Sequence, residues 1–241
     1  MSLGLSIPLY NEADSLASTV HDLFLALTGV DATIVLVNNG STDQTGHIVK
    51  QLTETQPAIH GLHLPKNAGY GGGILAGVHA LLHRSTPPAV IGWMWGDNQV
   101  DPGILPTLYQ HCMQGTALAK AQRTARQDGW QRQVISAVYA QSMRGIYQCQ
   151  TPDINGCPKL FRTDVLHQLN LSSTDWFLDA EAILKLEQHG LPIQNVSTTM
   201  RPRLGGRSKV NWKTVMEFIQ NIARHRRQYA GGSNSGSSRM P

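Results

Sequence analysis

The fold class this sequence predicts is α/β, with a mostly parallel sheet and helices on both faces. Three observations predict it. Strand-like runs and helical stripes alternate through the first half of the chain in the order βαβαβαβ. The run "ATIVLV" is continuously apolar and β-branched, as a strand buried on both faces requires. The polar residues gather just after the strand runs, so that four loops converge on one edge of the sheet.

The elements follow in order. "LGLSIP" reads as a short strand. In "DSLASTVHDLFLAL", Leu16, Val20, Leu23, Phe24 and Leu27 form a helical stripe. "ATIVLV" is the second strand, and "STDQTGHIVKQL" is a helix with a Ser/Thr/Asp start. "GLHL" is a brief strand, "GILAGVHALL" a helix and "AVIGWMW" the fourth strand. The second half is less regular. "ALAKA" and "PIQNV" read as strands, and "PKLFRTDVLHQL" as strand then helix. "WQRQVISAVYAQSMRGIY" and "DAEAILKLEQHG" read as helices. "NWKTVMEFIQNIARHRRQY" reads as an amphipathic C-terminal helix, and "AGGSNSGSSRMP" as a disordered tail.

Composition excludes several classes. No apolar run reaches the roughly 18 residues of a membrane span, and the opening residues lack a basic n-region and cleavage site. Cys112, Cys149 and Cys157 have no C-x-x-C spacing, so neither a disulfide framework nor a zinc site is expected and a reducing compartment is the natural one. His60 and His63 read as surface or strand histidines. Lys and Arg total 20 against 16 acids, an excess too small, without an aromatic-basic motif, for a nucleic-acid binder. It suits a phosphate-bearing ligand.

The loops after the strands carry the chemistry. The first is "PLYNEAD" with Glu12, the second "NNGSTD" with Asn38, Asn39 and Ser41, the third "PKNAGYGGG", and the fourth "GDNQ". Gly71-x-Gly73-x-x-Ala76 imitates a dinucleotide fingerprint but follows the third strand, where that fingerprint does not belong. Glycines before a helix still suit backbone amides facing a phosphate. Asp97 beside Gln99 at a strand tip is a reasonable hard-cation site, and a divalent ion there would bridge a diphosphate.

These segments resemble family 2 glycosyltransferases with the Rossmann-like GT-A fold, above all the dolichyl- or polyprenyl-phosphate sugar transferase branch. "SIPLYNEADSL" resembles the family's opening strand and loop, and "LVNNGSTDQT" its V-D-D-G-S-x-D-x-T segment. "NAGYGGGILAGV" resembles N-x-G-x-G-x-A, and "GDNQVDP" the D-x-D-x-Q metal segment. "DINGCPKLFRTDVL" and "RLGGRSKV" resemble the acceptor-side segments. The resemblance implies a single domain over 1–229, with a nucleotide-sugar half to about 120, an acceptor half beyond it, and a tail over 230–241. It implies an inverting, metal-dependent hexosyltransferase using a GDP- or UDP-sugar with Mg2+ or Mn2+ at Asp97 and Gln99. By the same resemblance Pro8, Tyr10, Glu12, Asn38, Asn39, Ser41, Asn67, Gly69, Gly71 and Asp97 contact the nucleotide sugar. Asp153, Lys159, Arg203, Arg207, Ser208 and Lys209 meet the acceptor or diphosphate, with Arg203 among the catalytic groups.

This sequence departs from the family pattern in three places. Trp95 replaces the first acid of D-x-D, Asn38 and Asn39 replace both acids of V-D-D, and no trailing transmembrane helices are present. An Asn oxygen can still accept a base N–H, though without charge.

The acceptor decides whether a base is needed. A lipid phosphate is already anionic, whereas a hydroxyl must lose its proton to a carboxylate, for which Asp179 and Glu181 are the candidates. Polyprenyl phosphate is the acceptor the resemblance implies. The alternatives are a soluble or glycan hydroxyl acceptor and a non-catalytic nucleotide-sugar binding module. In the C-terminal helix, Lys213, Arg224, Arg226 and Arg227 cluster towards the polar side and the end. That helix either packs on the domain or contacts a membrane surface, giving a cytoplasmic protein with peripheral contact at the membrane face.

Overall fold

A computed structural model of the chain describes residues 2–125 and 141–201. The C-terminal helix, the tail and Arg203, Arg207, Ser208 and Lys209 lie outside the described residues. Of the helix expected over 130–147, residues 141–147 are described and are helical.

Among the described residues, seven strands form one sheet in the order β3-β2-β1-β4-β6-β5-β7. They are β1 (Leu3–Leu9), β2 (Ala32–Asn39), β3 (Ile59–Leu64), β4 (Val90–Trp93), β5 (Leu118–Ala125), β6 (Lys159–Arg162) and β7 (Ile193–Thr199). The pairs β1–β2, β1–β4, β2–β3 and β5–β7 are parallel. β6 runs antiparallel to both β4 and β5, which makes the sheet mixed beyond β4. Besides the helical residues 141–147, the described α-helices are α1 (Ala13–Ala26), α2 (Thr45–Thr55), α3 (Gly69–Leu82), α4 (Leu105–Met113), α5 (Thr163–Leu169) and α6 (Leu178–Gln188).

β1 and β4 lie side by side in the middle of the sheet. Leu3, Leu5, Ile7 and Leu9 are fully buried, and β4 is buried throughout. The side chains of β1 alternate between two covered faces. On one of them α3 lies close enough that a Cβ at Gly77 would fall 2.2 Å from Ser6 Oγ. The Ser6 hydroxyl is satisfied by the Ile74 carbonyl of the same helix at 2.9 Å. On the other face α1 buries Leu16, Val20 and Leu23. Its Ser15 and Thr19 hydroxyls donate to the Gly96 carbonyl at 3.1 and 3.2 Å, tying α1 to the loop after β4.

Helix boundaries moved for local reasons. α2 begins at Thr45, because Asp43 turns back to accept the Thr45 N–H at 3.0 Å and the preceding residues form a turn. α3 begins four residues earlier than its apolar stripe, over the glycines. β4 ends at Trp93, so Trp95 belongs to the loop. The cap of the next turn is Asp101, not Asp97, and it accepts the Gly103 N–H at 2.9 Å. Strand order reverses between β1 and β4, and the crevice beyond the carboxyl ends at such a reversal is where open α/β sheets bind ligands.

Candidate active site

The loops after the first three strands are knitted together by polar side chains. Asn11, held left-handed at φ 54°, donates its N–H to Ser41 Oγ at 3.1 Å and accepts the Thr42 N–H at 2.8 Å. The Glu12 N–H donates to Thr45 Oγ1 at 2.9 Å, and the Ala13 N–H to Asp43 at 3.3 Å. Burial pushes the Asp43 carboxyl up, but the hydrogen bonds from Thr45 and Ala13 outweigh it and leave the group below its ordinary value. Asn38 accepts the Ser41 N–H at 3.1 Å and sets its amide nitrogen 3.2 Å from His63 Nδ1. Asn38 is half-buried at the carboxyl end of β2.

Asn39 does something else. It is buried, its oxygen accepts the Ala68 N–H at 2.9 Å, and its nitrogen donates to the Gly69 carbonyl at 2.9 Å and to Asn67 Oδ1 at 3.4 Å. Asn67 Oδ1 also accepts the Gly69 N–H at 2.8 Å. Asn39 and Asn67 therefore cross-link β2 to the start of α3, and the Asn39 amide is spent within the protein.

The glycine-rich start of α3 faces the chain, where a phosphate had been expected. The Gly72 N–H donates to the Thr174 carbonyl at 2.9 Å. A Cβ at Gly71 would lie 2.2 Å from the Ser173 carbonyl oxygen, and one at Gly69 2.5 Å from that of Thr174. The glycines are there because the backbone of 173–175 crosses the helix start. Gly71→Ala must push that backbone aside, and overpacking of this kind costs about 1–3 kcal/mol. A melting temperature lower by several degrees is the expected outcome, read by calorimetry.

Tyr70, between those glycines, opens a chain of contacts that runs into the core. Its ring stacks on Trp176 at 4.2 Å. Its hydroxyl donates to Asp179 Oδ2 at 3.0 Å and accepts the Trp95 Nε1–H at 3.2 Å. Burial, then the neighbouring Asp179 charge, pushes the Tyr70 phenol well up. Asp179 Oδ1 accepts the Trp93 indole N–H at 3.3 Å and pairs with Lys159 Nζ at 2.8 Å. Lys159 is fully buried and also donates to the Gly156 carbonyl at 2.7 Å. The ammonium expected to meet a phosphate thus holds Asp179. Asp153, expected on the acceptor side, binds Arg123, with Nε at 2.9 Å and the backbone N–H at 2.8 Å. The Arg123 guanidinium lies 5.5 Å from the Trp95 ring centroid.

The second carboxylate of α6 is likewise engaged. Glu181 accepts the Ser172 N–H at 3.1 Å, the Ser173 N–H at 2.8 Å and Lys185 Nζ at 2.7 Å. Burial would raise its carboxyl, but Lys185 and Ser173 outweigh burial and hold it below the usual range. A carboxylate held this way is a poor proton acceptor. As placed, Asp179 and Glu181 pin the loops around the site, and neither is presented as a base.

Asp97 sits where the strand tip puts it, 7% exposed, accepting the Gln99 N–H at 3.2 Å across a turn whose Asn98 is left-handed at φ 53°. The Gln99 carbonyl accepts the Arg201 N–H at 2.7 Å, and Val100 bridges Met200. Arg201 also reaches Asp22 at 2.9 Å and Asp101 at 2.8 Å, while the Asn98 amide donates to Asp22 at 3.2 Å. The hydrogen bond from Asn98 is the main reason the Asp22 carboxyl is lowered. The structure thus brings Pro8, Tyr10, Glu12, Asn38, Ser41, Asp97 and Gln99 to one edge of the sheet. Sequence reasoning missed Tyr70, Trp176, Arg123 and Arg201. Tyr70 alone carried a signal, as the bulky residue inside a glycine run.

Hard cations take oxygen ligands. Asp97 offers one carboxylate and Gln99 one amide oxygen, and among the described residues no group of three or more His, Cys, Asp or Glu side chains could hold an ion. This donor set fits a divalent ion that takes its remaining oxygens from a bound diphosphate.

The model of the family described as Glycosyl transferase family 2 matches residues 5–169. The chain is 27% identical over 226 residues to the polyprenol monophosphomannose synthase of Mycolicibacterium smegmatis, covering 90% of this chain and 84% of that one. It is 26% identical over 228 residues to the undecaprenyl-phosphate mannosyltransferase of Micrococcus luteus, covering 90% and 91%. Among solved structures, the glucosyl-3-phosphoglycerate synthase of Mycobacterium tuberculosis superposes with a TM-score of 0.69 at 15% identity, over 98% of this chain and 82% of that one, which speaks to the fold.

Proposed function

Since this chain belongs to glycosyl transferase family 2, we propose a specific reaction for its glycosyltransferase activity. It moves a hexose, with mannose the first candidate, from a GDP- or UDP-sugar to polyprenyl phosphate, with inversion at the anomeric carbon. The mannosyltransferases it resembles along most of its length support the sugar and the acceptor. A lipid acceptor would bring the site to a membrane surface.

Asp97 and Gln99 are the residues that would hold Mg2+ or Mn2+, and such an ion supplies charge neutralisation for the departing diphosphate. The chain's own groups do the rest. Asn38, held by the Ser41 N–H and His63, stands at the end of β2, where the base would bind. The knitted loops keep the nucleotide pocket rigid before the donor arrives, so little reorganisation is left for the reaction. Trp95, Tyr70 and Trp176, linked by a hydrogen bond and ring stacking, would wall the acceptor side of the site.

One observation carries the choice of acceptor. Both candidate bases on α6 are engaged, Asp179 by Lys159 and Glu181 by Ser172, Ser173 and Lys185. A hydroxyl acceptor would need one of them free, whereas a phosphate is ionised at neutral pH and attacks without a base. The test compares three acceptors with one labelled donor: a polyprenyl phosphate, the same polyprenol without its phosphate, and a soluble sugar. Transfer to the phosphate alone is expected. Transfer to a hydroxyl acceptor at a comparable rate would favour the hydroxyl reading instead.

A further inference from the structure

A row of buried charge lies beside the tip of β4. Trp93, the last residue of β4, is the register partner of Lys159 on β6, and Lys159 is the partner of Lys120 on β5. Residues directly opposite one another across a sheet share a face. Both lysines are fully buried. Lys159 is neutralised by Asp179 at 2.8 Å. Among the described residues Lys120 has no carboxylate of its own: its Nζ donates to the backbone carbonyls of Asp153 at 3.0 Å and Ala121 at 3.2 Å. The Asp153 carboxylate is taken by Arg123. Among the described residues, the charged groups facing Lys120 are therefore Lys159 from β6, Asp153 from the loop before it, Arg123 from β5 and Asp179 from α6. With Lys120 itself this makes three cations against two carboxylates.

An unbalanced charge in a protein interior is expensive, and an apolar side chain of the same length would be more stable there. Burial, then the Lys159 charge beside it, lowers the Lys120 ammonium to about 7. Violations of this kind are expected at functional sites.

We propose that Lys120 is an electrostatic positioning residue of the donor site, whose charge is balanced when the donor's diphosphate binds at the tip of β4. The inference rests on the glycosyltransferase reading above. In the transfer, the bond from the anomeric carbon to the diphosphate oxygen breaks, and its electron pair goes to the diphosphate. An acceptor phosphate oxygen bonds to the same carbon. Lys120 exchanges no proton with either partner; its field stabilises the charge that grows on the leaving group. β5 lies two strands from β4, about 10 Å away. At that distance one charge at an intermediate dielectric changes anion affinity about tenfold.

The experiment uses the full chain, the variant Lys120→Met, and UDP and GDP as probes. For stability, the folded wild type gives up the Lys120 proton near pH 7, while the unfolded chain keeps it to about 10.4. The burial penalty is therefore full below pH 7 and fades as pH rises towards 10. K120M should melt above wild type at pH 6, with the gap closing towards pH 10. K120M should also bind the nucleoside diphosphate about tenfold more weakly. A residue with a merely structural role would not combine higher stability with weaker binding. In calorimetry at pH 7 in buffers of different ionisation enthalpy, wild type should take up about half a proton on binding, and K120M none. Wild type binding without proton uptake, or K120M binding as tightly as wild type, overturns the inference and leaves the proposed function standing. Wild type binding neither UDP nor GDP overturns both. If K120M does not fold, the proton count on wild type decides alone.

Discussion

Asp97→Ala is expected to reduce sugar transfer by more than about 100-fold, the loss seen when one preorganised stabilising group is removed from a developing charge. The fold should survive. Asp97 accepts the Gln99 N–H in a turn at the strand tip, and β4 is already buried and paired before that turn begins. Loss of a hydrogen bond of this kind costs about 1 kcal/mol, so the variant should still unfold cooperatively, with a lowered melting temperature. Asp97→Asn is the closer control, since it keeps an oxygen at the tip and removes the charge. Initial rates with saturating donor and acceptor check both variants. Near wild-type turnover in a folded Asp97→Ala would remove Asp97 from the reaction.

The second large effect is on stability. Asp179→Ala leaves the fully buried Lys159 without its carboxylate, beside the equally buried Lys120. It also strips the acceptor from the Trp93 indole and the Tyr70 hydroxyl. Removing one partner of a buried pair costs about 3–5 kcal/mol, which for a chain of this size lowers the melting temperature by roughly 6–20 °C. The double variant Asp179→Leu with Lys159→Met should recover much of that loss, because a buried pair is often replaced by apolar residues at little cost. If Asp179→Ala melts like wild type, the ion pair is not the strut described here. Thermal unfolding followed by circular dichroism measures all three.

The pattern of what was legible in the sequence follows from the range of the interactions. The strands of the first half were legible because continuous apolar runs such as 34–37 are buried on both faces, and burial is a property of the run itself. The four loops were legible for the same reason, since the end of each run locates the loop. Asp97 stood out as a lone acid following such a run. The start of α3 was misplaced because what decides it, the backbone of 173–175 lying against Gly69 and Gly71, comes from a hundred residues further along the chain, roughly. The pairing of Tyr70 with Asp179 spans 109 positions and that of Arg201 with Asp22 spans 179, and no local period encodes either. Lys159 and Asp179 both stand out in the sequence, Lys159 as a group for the acceptor or diphosphate and Asp179 as a base, because their pairing with each other is decided by the fold. Lys120 was legible only as part of a strand. Its burial between β6 and the Asp153 loop depends on the antiparallel insertion of β6, which the first-half alternation did not announce.

The central claim is that the donor binds at the carboxyl edge of the sheet with its diphosphate at Asp97. The most direct measurement is a crystal structure with GDP or UDP and Mn2+, collected at a wavelength that reveals manganese. The account predicts one anomalous peak within coordinating distance of the Asp97 carboxylate, about 2.0–2.6 Å for a hard cation, shared with the diphosphate, and the base beside Asn38. A nucleotide bound away from the β1–β4 edge, or a manganese ion on the diphosphate with no contact to Asp97, would contradict it.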